Sequence, residues 1–127
     1  MARRFSRRRL AQIDAGRILW IRAGRGTGHR SIGIWTVVVD GRVYVRSWSL
    51  KESGWYRSFL DDPIGAIQVA YDEAELKVRA LRVRSDRIRD AVERGYALKY
   101  ATPGSRRYVR GFRSKRRREA TLELIPR

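Results

Sequence analysis

The sequence predicts a mainly β, α+β fold: an antiparallel barrel of about six strands with three helices packed at its ends. Three observations carry this expectation. Asp40-Gly41 lies between two β-branched runs, Ile32 to Val39 and Arg42 to Trp48, and these two residue types tolerate the φ > 0 that a type I′ hairpin turn demands at both central positions. A second pair of alternating runs, Ala66 to Tyr71 and Glu75 to Arg84, flanks Asp72-Glu73, which reads as another hairpin. Helical periodicity is confined to three stretches, the longest running from Ser85-Asp86 to about Tyr100.

At the N-terminus Ser6 is placed to cap a short helix, with Phe5 positioned to pack on Leu10 as a hydrophobic staple, Ile13 extending the apolar face and Gly16 ending it. Arg17 to Ala23 alternates as a strand, with Ile18, Trp20 and Arg22 on one face and Leu19 and Ile21 on the other. Gly24, Gly26 and Gly28 then mark a turn. It is not a phosphate loop of a known kind, because His29-Arg30-Ser31 stands where a Walker loop needs Gly-Lys-Ser, and a strand rather than a helix follows.

Beyond the hairpin, Ser53 is placed to cap a helix from Gly54 to Asp62, in which Trp55/Phe59 and Tyr56/Leu60 have i, i+4 spacing and which Pro63 ends. Within Glu75 to Arg84 the apolar phase moves from Leu76, Val78 and Ala80 to Leu81 and Val83, a shift that a bulge near Ala80 would explain. The long helix presents Ile88, Ala91, Val92 and Tyr96, and Thr102-Pro103-Gly104 breaks it. An arginine-rich loop follows, and Ala120 to Ile125 closes the chain as a strand.

With 127 residues the chain fits one domain, 1–127. The absence of cysteine excludes disulfides, thiolate metal sites and a cysteine nucleophile, and a lone His29 excludes a histidine-rich metal site, so no metal is expected. No apolar run approaches the ~20 residues of a membrane helix, and the arginine-rich start lacks the apolar segment of a secretory signal. A cytoplasmic protein is expected.

The net charge of +17 is unevenly placed. Five arginines in 1–9 and eight Lys/Arg in 102–118, with no acid in either segment, account for 13 of it and leave a body of +4. Arginine outnumbers lysine 26 to 4, which suits phosphate recognition.

Alternation divides the second strand of the first hairpin into one face of Val43, Val45 and Ser47 and another of Arg42, Tyr44, Arg46 and Trp48. The latter sets forked donors beside flat rings, suited to a phosphate and a stacked ring. Its plainer alternatives are an outer barrel face in solvent and a dimer interface.

Together, Arg30-Ser31 with the strand to Trp35, Asp40-Gly41 with Val43-Tyr44-Val45-Arg46-Ser47, Gly54-Trp55-Tyr56-Arg57, Lys99-Tyr100, Thr121-Leu122 and Pro126-Arg127 resemble a family of small bacterial proteins. That family is domain of unknown function 2255, which is similar to the FMN-binding split-barrel superfamily and its deazaflavin-dependent reductases. The resemblance implies a split barrel and a homodimer whose FMN or deazaflavin coenzyme lies in grooves between subunits. Carried over, it implies Arg30 and Ser31 at the cofactor edge of the first strand, Arg46 and Ser47 as phosphate contacts, and Trp55, Tyr56 and Arg57 bordering ring or phosphate. Trp48 or Trp55 would stack on the ring. The arginine-dense 106–118 departs from the family pattern, and no clear general acid is present.

A flavin or deazaflavin oxidoreductase is therefore one expectation, in which the cofactor does the hydride chemistry and the chain supplies binding and orientation. A second is non-specific nucleic-acid binding, with Tyr108 and Phe112 interleaved among Arg106, Arg107, Arg110 and Arg113, and with Arg116, Arg117 and Arg118 adding charge. The third is a split barrel without a cofactor.

Overall fold

The computed structural model describes residues 4–24, 31–69 and 72–127. The glycine-rich turn after Gly24, and Arg30 with it, lies outside the described residues, as do Tyr71 and the start of the basic N-terminal segment.

Among the described residues seven strands form one antiparallel sheet: β1 (Leu19–Ala23), β2 (Ile32–Ile34), β3 (Thr36–Val39), β4 (Arg42–Arg46), β5 (Ile64–Val69), β6 (Glu75–Arg82) and β7 (Thr121–Pro126). Their order is β2-β1-β5-β6-β7-β4-β3. The two end strands of that order are separated in sequence by Trp35 alone, so the sheet curls until its edges nearly meet. This is the antiparallel split barrel that the sequence predicts, with one strand more than expected because the run from Ile32 to Val39 breaks at Trp35 and serves both edges.

The β3–β4 turn has Asp40 at φ 51 and Gly41 at φ 74, the left-handed pair that a type I′ turn requires. Val39 consequently pairs with Arg42, and Val37 with Tyr44. The final strand sits centrally, between β6 and β4. Inward residues form the main core, including Leu19, Ile21, Val43, Val45, Ile67, Val78, Leu122 and Leu124. Each is worth roughly 1.5–3 kcal/mol when fully buried.

Among the described residues five helices cover this barrel: α1 (Arg7–Ala15), α2 (Trp55–Asp61), α3 (Asp86–Lys99), α4 (Pro103–Gly111) and α5 (Lys115–Glu119). In α1 the Ser6 hydroxyl accepts from the Arg9 amide at 3.2 Å, and Phe5 and Ile13 enter the main core. Gly54, not Ser53, is the N-cap of α2, and it makes no side-chain capping bond. Tyr56 and Phe59 are the buried residues of that helix. Ser85 caps α3 through the Ile88 amide.

Three expectations are corrected. The strand carrying Ala80 has no bulge: it pairs with β7 in unbroken register from Val78 to Arg82, and the Val83 amide continues the ladder to the Thr121 carbonyl. The apolar phase shifts because Ala80 faces the barrel interior whereas Val83 lies on its outer surface, in a second core beneath the helices.

The basic stretch is not a loop. Pro103, tolerated at N1 where its missing N–H costs nothing, opens α4 behind an N-cap Thr102, and Ser114 caps α5 by accepting from the Arg117 amide. These make five helices instead of three.

The outer face of β4 is also not open. Tyr44, Val37 and Val83 pack with Val92, Tyr96, Tyr100 and Phe112, so α3 and the end of α4 cover it, and Tyr44 is 4% and Arg46 2% exposed.

Candidate functional site

The β2–β3 segment, the end of β4, the start of α2 and one face of α4 enclose a groove of about 470 Å³, within the ~300–1,000 Å³ usual for small-molecule sites. Five aromatic residues line it: Trp35, Trp48, Trp55, Tyr108 and Phe112. Ile32 and Ile34 add apolar wall, and Gly33, Ser49 and Gly54 add backbone.

Local geometry sets each ring. Trp35, at the break between β2 and β3, stacks on Tyr100 with centroids 4.1 Å apart and planes at 7°. Trp48 follows β4, meets Tyr108 and Phe112 edge to face at 5.2 and 5.7 Å, and keeps 40% of its surface exposed. The Arg117 guanidinium lies 3.7 Å from the Trp48 ring centroid and donates to the Trp48 carbonyl at 3.0 Å. Gly111 lets the Trp48 ring lie this close to α4, because a Cβ at that position would overlap the ring where it now sits. Trp55 meets Phe59 edge to face at 6.2 Å, so part of its ring serves the core.

Behind the rings, Arg46 is the hub of a buried network. Its Nε donates to Thr121 Oγ1 at 2.8 Å, Nη1 to Glu93 Oε1 at 3.1 Å and to the Phe112 carbonyl at 3.0 Å, and Nη2 to the Arg89 carbonyl at 3.2 Å. Its amide donates to the Tyr96 hydroxyl at 3.0 Å, which in turn donates to the Trp35 carbonyl. The side chain is 0% exposed. Burial lowers the Arg46 pKa from the ordinary arginine value, opposed by the hydrogen bond and charge of Glu93. Burial likewise raises that of Tyr96, and pushes Tyr100 up to about 12.

The expected residues therefore divide. Trp48, Trp55 and Arg46 line the groove, Arg46 with a side chain that is fully buried. Ser31 is exposed just ahead of β2. Ser47 is buried and its hydroxyl donates to the Ser49 carbonyl. Tyr56 is buried, with its hydroxyl 3.5 Å from the Glu119 carbonyl, and Arg57 is exposed on α2.

The basic set also divides. Tyr108 and Phe112 turn into the aromatic groove, and Arg107 stacks on Tyr108 at 4.8 Å. Arg118 pairs with Asp90 at 2.7 Å and Glu93 at 2.8 Å. Arg106, Arg110, Arg113 and Arg116 remain exposed. Trp35 was the groove residue hardest to find, since its only sequence signal is a bulky ring at the centre of an apolar run.

No Asp, Glu, His or Lys lines the groove, so its described walls can bind and shield a planar group but not move a proton near neutral pH. Among the described residues no three His, Cys, Asp or Glu side chains cluster as metal ligands, and no helix is long and apolar enough to cross a membrane.

The family described as "Uncharacterized protein conserved in bacteria (DUF2255)" matches residues 9–124. No curated protein matches the sequence. Among solved structures, similarity extends to a Listeria innocua protein provisionally assigned as a pyridoxamine 5′-phosphate oxidase, with TM-score 0.58, 12% identity and coverage of 94% of this chain and 90% of that one. A NimC/NimA family protein of Clostridium acetobutylicum gives TM-score 0.57 at 10% identity, covering 94% and 76%. An FAD-binding protein of Mesorhizobium loti gives 0.53 at 12%, covering 99% and 91%. At these identities the likeness is one of fold.

Proposed function

The chain belongs to the DUF2255 family of bacterial proteins, and from the shape and lining of its groove we propose that it binds the ring of a flavin or deazaflavin coenzyme, FMN being the simplest case. The observation that carries this is the convergence of five aromatic side chains from four separated segments on one groove of about 470 Å³. Planar rings bind well against such walls, since stacked and edge-to-face pairs contribute ~0.5–1.5 kcal/mol beyond area burial. That one structurally similar protein, from Mesorhizobium loti, is described as FAD-binding supports the same reading.

When bound, the coenzyme would supply hydride or electron transfer, making the chain a candidate oxidoreductase. Trp48, partly exposed and backed by Arg117, offers a stacking face, and Trp55 closes the opposite wall. The Arg46 guanidinium does not fit a phosphate contact, because it is sealed and already donates to four acceptors; it holds the groove's floor instead. The tail is assigned to Ser31, one residue before the Ile32 wall, and to Arg57, two residues after Trp55 on α2; Arg30 lies outside the described residues.

A homodimer belongs to this proposal. Trp20 of β1 is 43% exposed and stands opposite Gly33 of β2, a residue of the groove's lining, so a second copy packed on Trp20 would lie beside the groove.

The test is titration of the purified chain with FMN, FAD and the deazaflavin coenzyme, followed by tryptophan fluorescence and visible absorbance. Trp48→Ala is expected to weaken binding about tenfold, equal to ~1.4 kcal/mol. No spectral change up to ~1 mM of any of the three, about −4 kcal/mol of affinity, would leave a split barrel without this cofactor.

A further inference from the structure

The opposite side of α4 forms a second groove of about 570 Å³ with α3. Arg106 and Arg110, at i and i+4 on α4, and Arg113 in the turn that follows it line that side, while Arg94 faces them from α3. With a rise of ~1.5 Å per residue, Arg106 and Arg110 stand roughly 6 Å apart along the α4 axis.

Asp90 and Glu93 also line it, but both are bound by Arg118, and Glu93 by Arg46 as well. Their charge is therefore matched within the protein. By contrast, the side chains of Arg94, Arg110 and Arg113 make no hydrogen bond or ion pair among the described residues, and Arg106 only donates to the Ala101 carbonyl. Four guanidinium charges therefore line a concave site, and none of them has an ion-pair partner among the described residues. Like charges held this close repel, and an anion is the chemistry that relieves them.

We propose that this α3–α4 groove is a binding site for a compact oligophosphate, a chain of two or three linked phosphoryl groups either free or carried by a nucleotide. One phosphate carries about −1.5 to −2 and would answer at most half of the charge, whereas a diphosphate or triphosphate approaches it. Guanidinium forks suit phosphate oxygens bidentately. Concavity with cations on both walls favours a small ligand over a nucleic-acid backbone tracked across an open face. The site is separate from the aromatic groove and does not rest on the coenzyme reading.

Calorimetric titration of the full chain with inorganic tripolyphosphate, inorganic phosphate, ATP and a short single-stranded DNA decides it. Saturable binding of tripolyphosphate at one site per chain is expected, at least about tenfold tighter than inorganic phosphate. Binding of ATP as well would indicate that the nucleoside is accommodated, and binding of tripolyphosphate alone that the ligand is the free chain. Both outcomes support the site.

The double substitution Arg110→Gln/Arg113→Gln should weaken binding by about tenfold or more. Arg84→Gln/Arg87→Gln, which removes equal charge from exposed positions outside the groove, should change it less than about threefold. Circular dichroism checks that both variants fold. Equal losses from the two pairs would mean that surface charge alone is responsible, and tighter binding per phosphate by DNA would assign the face to nucleic acid. Either result overturns the proposal.

Discussion

Replacing Arg46 by alanine removes the one side chain that ties β4 to β7, α3 and the end of α4 at once. It takes a donor from the carbonyls of Phe112 and Arg89 and from the Thr121 hydroxyl, leaving the Phe112 carbonyl the most exposed to the loss, and opens a cavity where a fully buried side chain stood. Removing one partner of a buried ion pair costs ~3–5 kcal/mol, and each buried acceptor left unpaired ~1–3 kcal/mol. Glu93 retains Arg118 at 2.8 Å, which keeps the total near the lower figure, about 3–5 kcal/mol in all. For a chain of this size that is a fall in Tm of roughly 10–20 °C. Arg46→Met restores most of the volume but none of the donors, and should recover only the cavity part. Arg46→Lys reaches fewer acceptors and should also recover part. The assay is thermal unfolding followed by circular dichroism, without ligand. A Tm change below about 2 °C for Arg46→Ala, together with weakened coenzyme binding, would refute the buried-hub argument and return Arg46 to the phosphate.

Glycine substitutions should separate two kinds of crowding. Gly65→Ala drives a methyl into the Arg22 carbonyl oxygen and to 2.7 Å from the Phe59 ring, so a loss of about 3 kcal/mol or more is expected in denaturant unfolding. Gly111→Ala meets only the half-exposed Trp48 ring, which can swing outward; Tm should fall by less than about 5 °C while tryptophan fluorescence and coenzyme binding change. The pH dependence of Tm has two arms. Burial lowers Lys99 to about 8, below its unfolded value, so the unfolded chain holds more protons and stability rises between about pH 8 and 10. Burial raises Tyr100 to about 12 and raises Tyr96 also. The unfolded tyrosines then lose protons first, and stability falls above about pH 10. Lys99→Met should flatten the rising arm and leave the falling one, and a monotonic profile in the unaltered chain would contradict both. Light scattering of the chain at micromolar concentration checks the proposed dimer, which a monomer would remove.

What the sequence alone determined is mostly short in range. Asp40-Gly41 fixes its own backbone signs, so the β3–β4 hairpin and its register were legible. Ser6 and Ser85 cap helices with amides three residues away, and this was legible too. Pro103 was misread for a related reason: proline both ends a preceding helix and starts the next, and Thr102 and Ser114 signal helix starts only if the segment has somewhere to pack. Alternation showed that Tyr44 and Arg46 share a face but not what covers it. That was decided by α3 and α4 folding over β4, which converts a set of apparent phosphate donors into a buried hub.

The groove was half legible for the same reason. Trp48 and Trp55 lie within one stretch of sequence, whereas Trp35 enters through a strand break and Tyr108 and Phe112 through a helix sixty residues away. The tertiary structure also sorted the arginines, sending Arg117 onto Trp48, Arg118 onto Asp90 and Glu93, and Arg110 and Arg113 into an open groove. Local dihedral preferences and capping bonds act between neighbours in sequence. Burial and charge pairing depend on which distant surfaces meet, and only the packed chain brings them together.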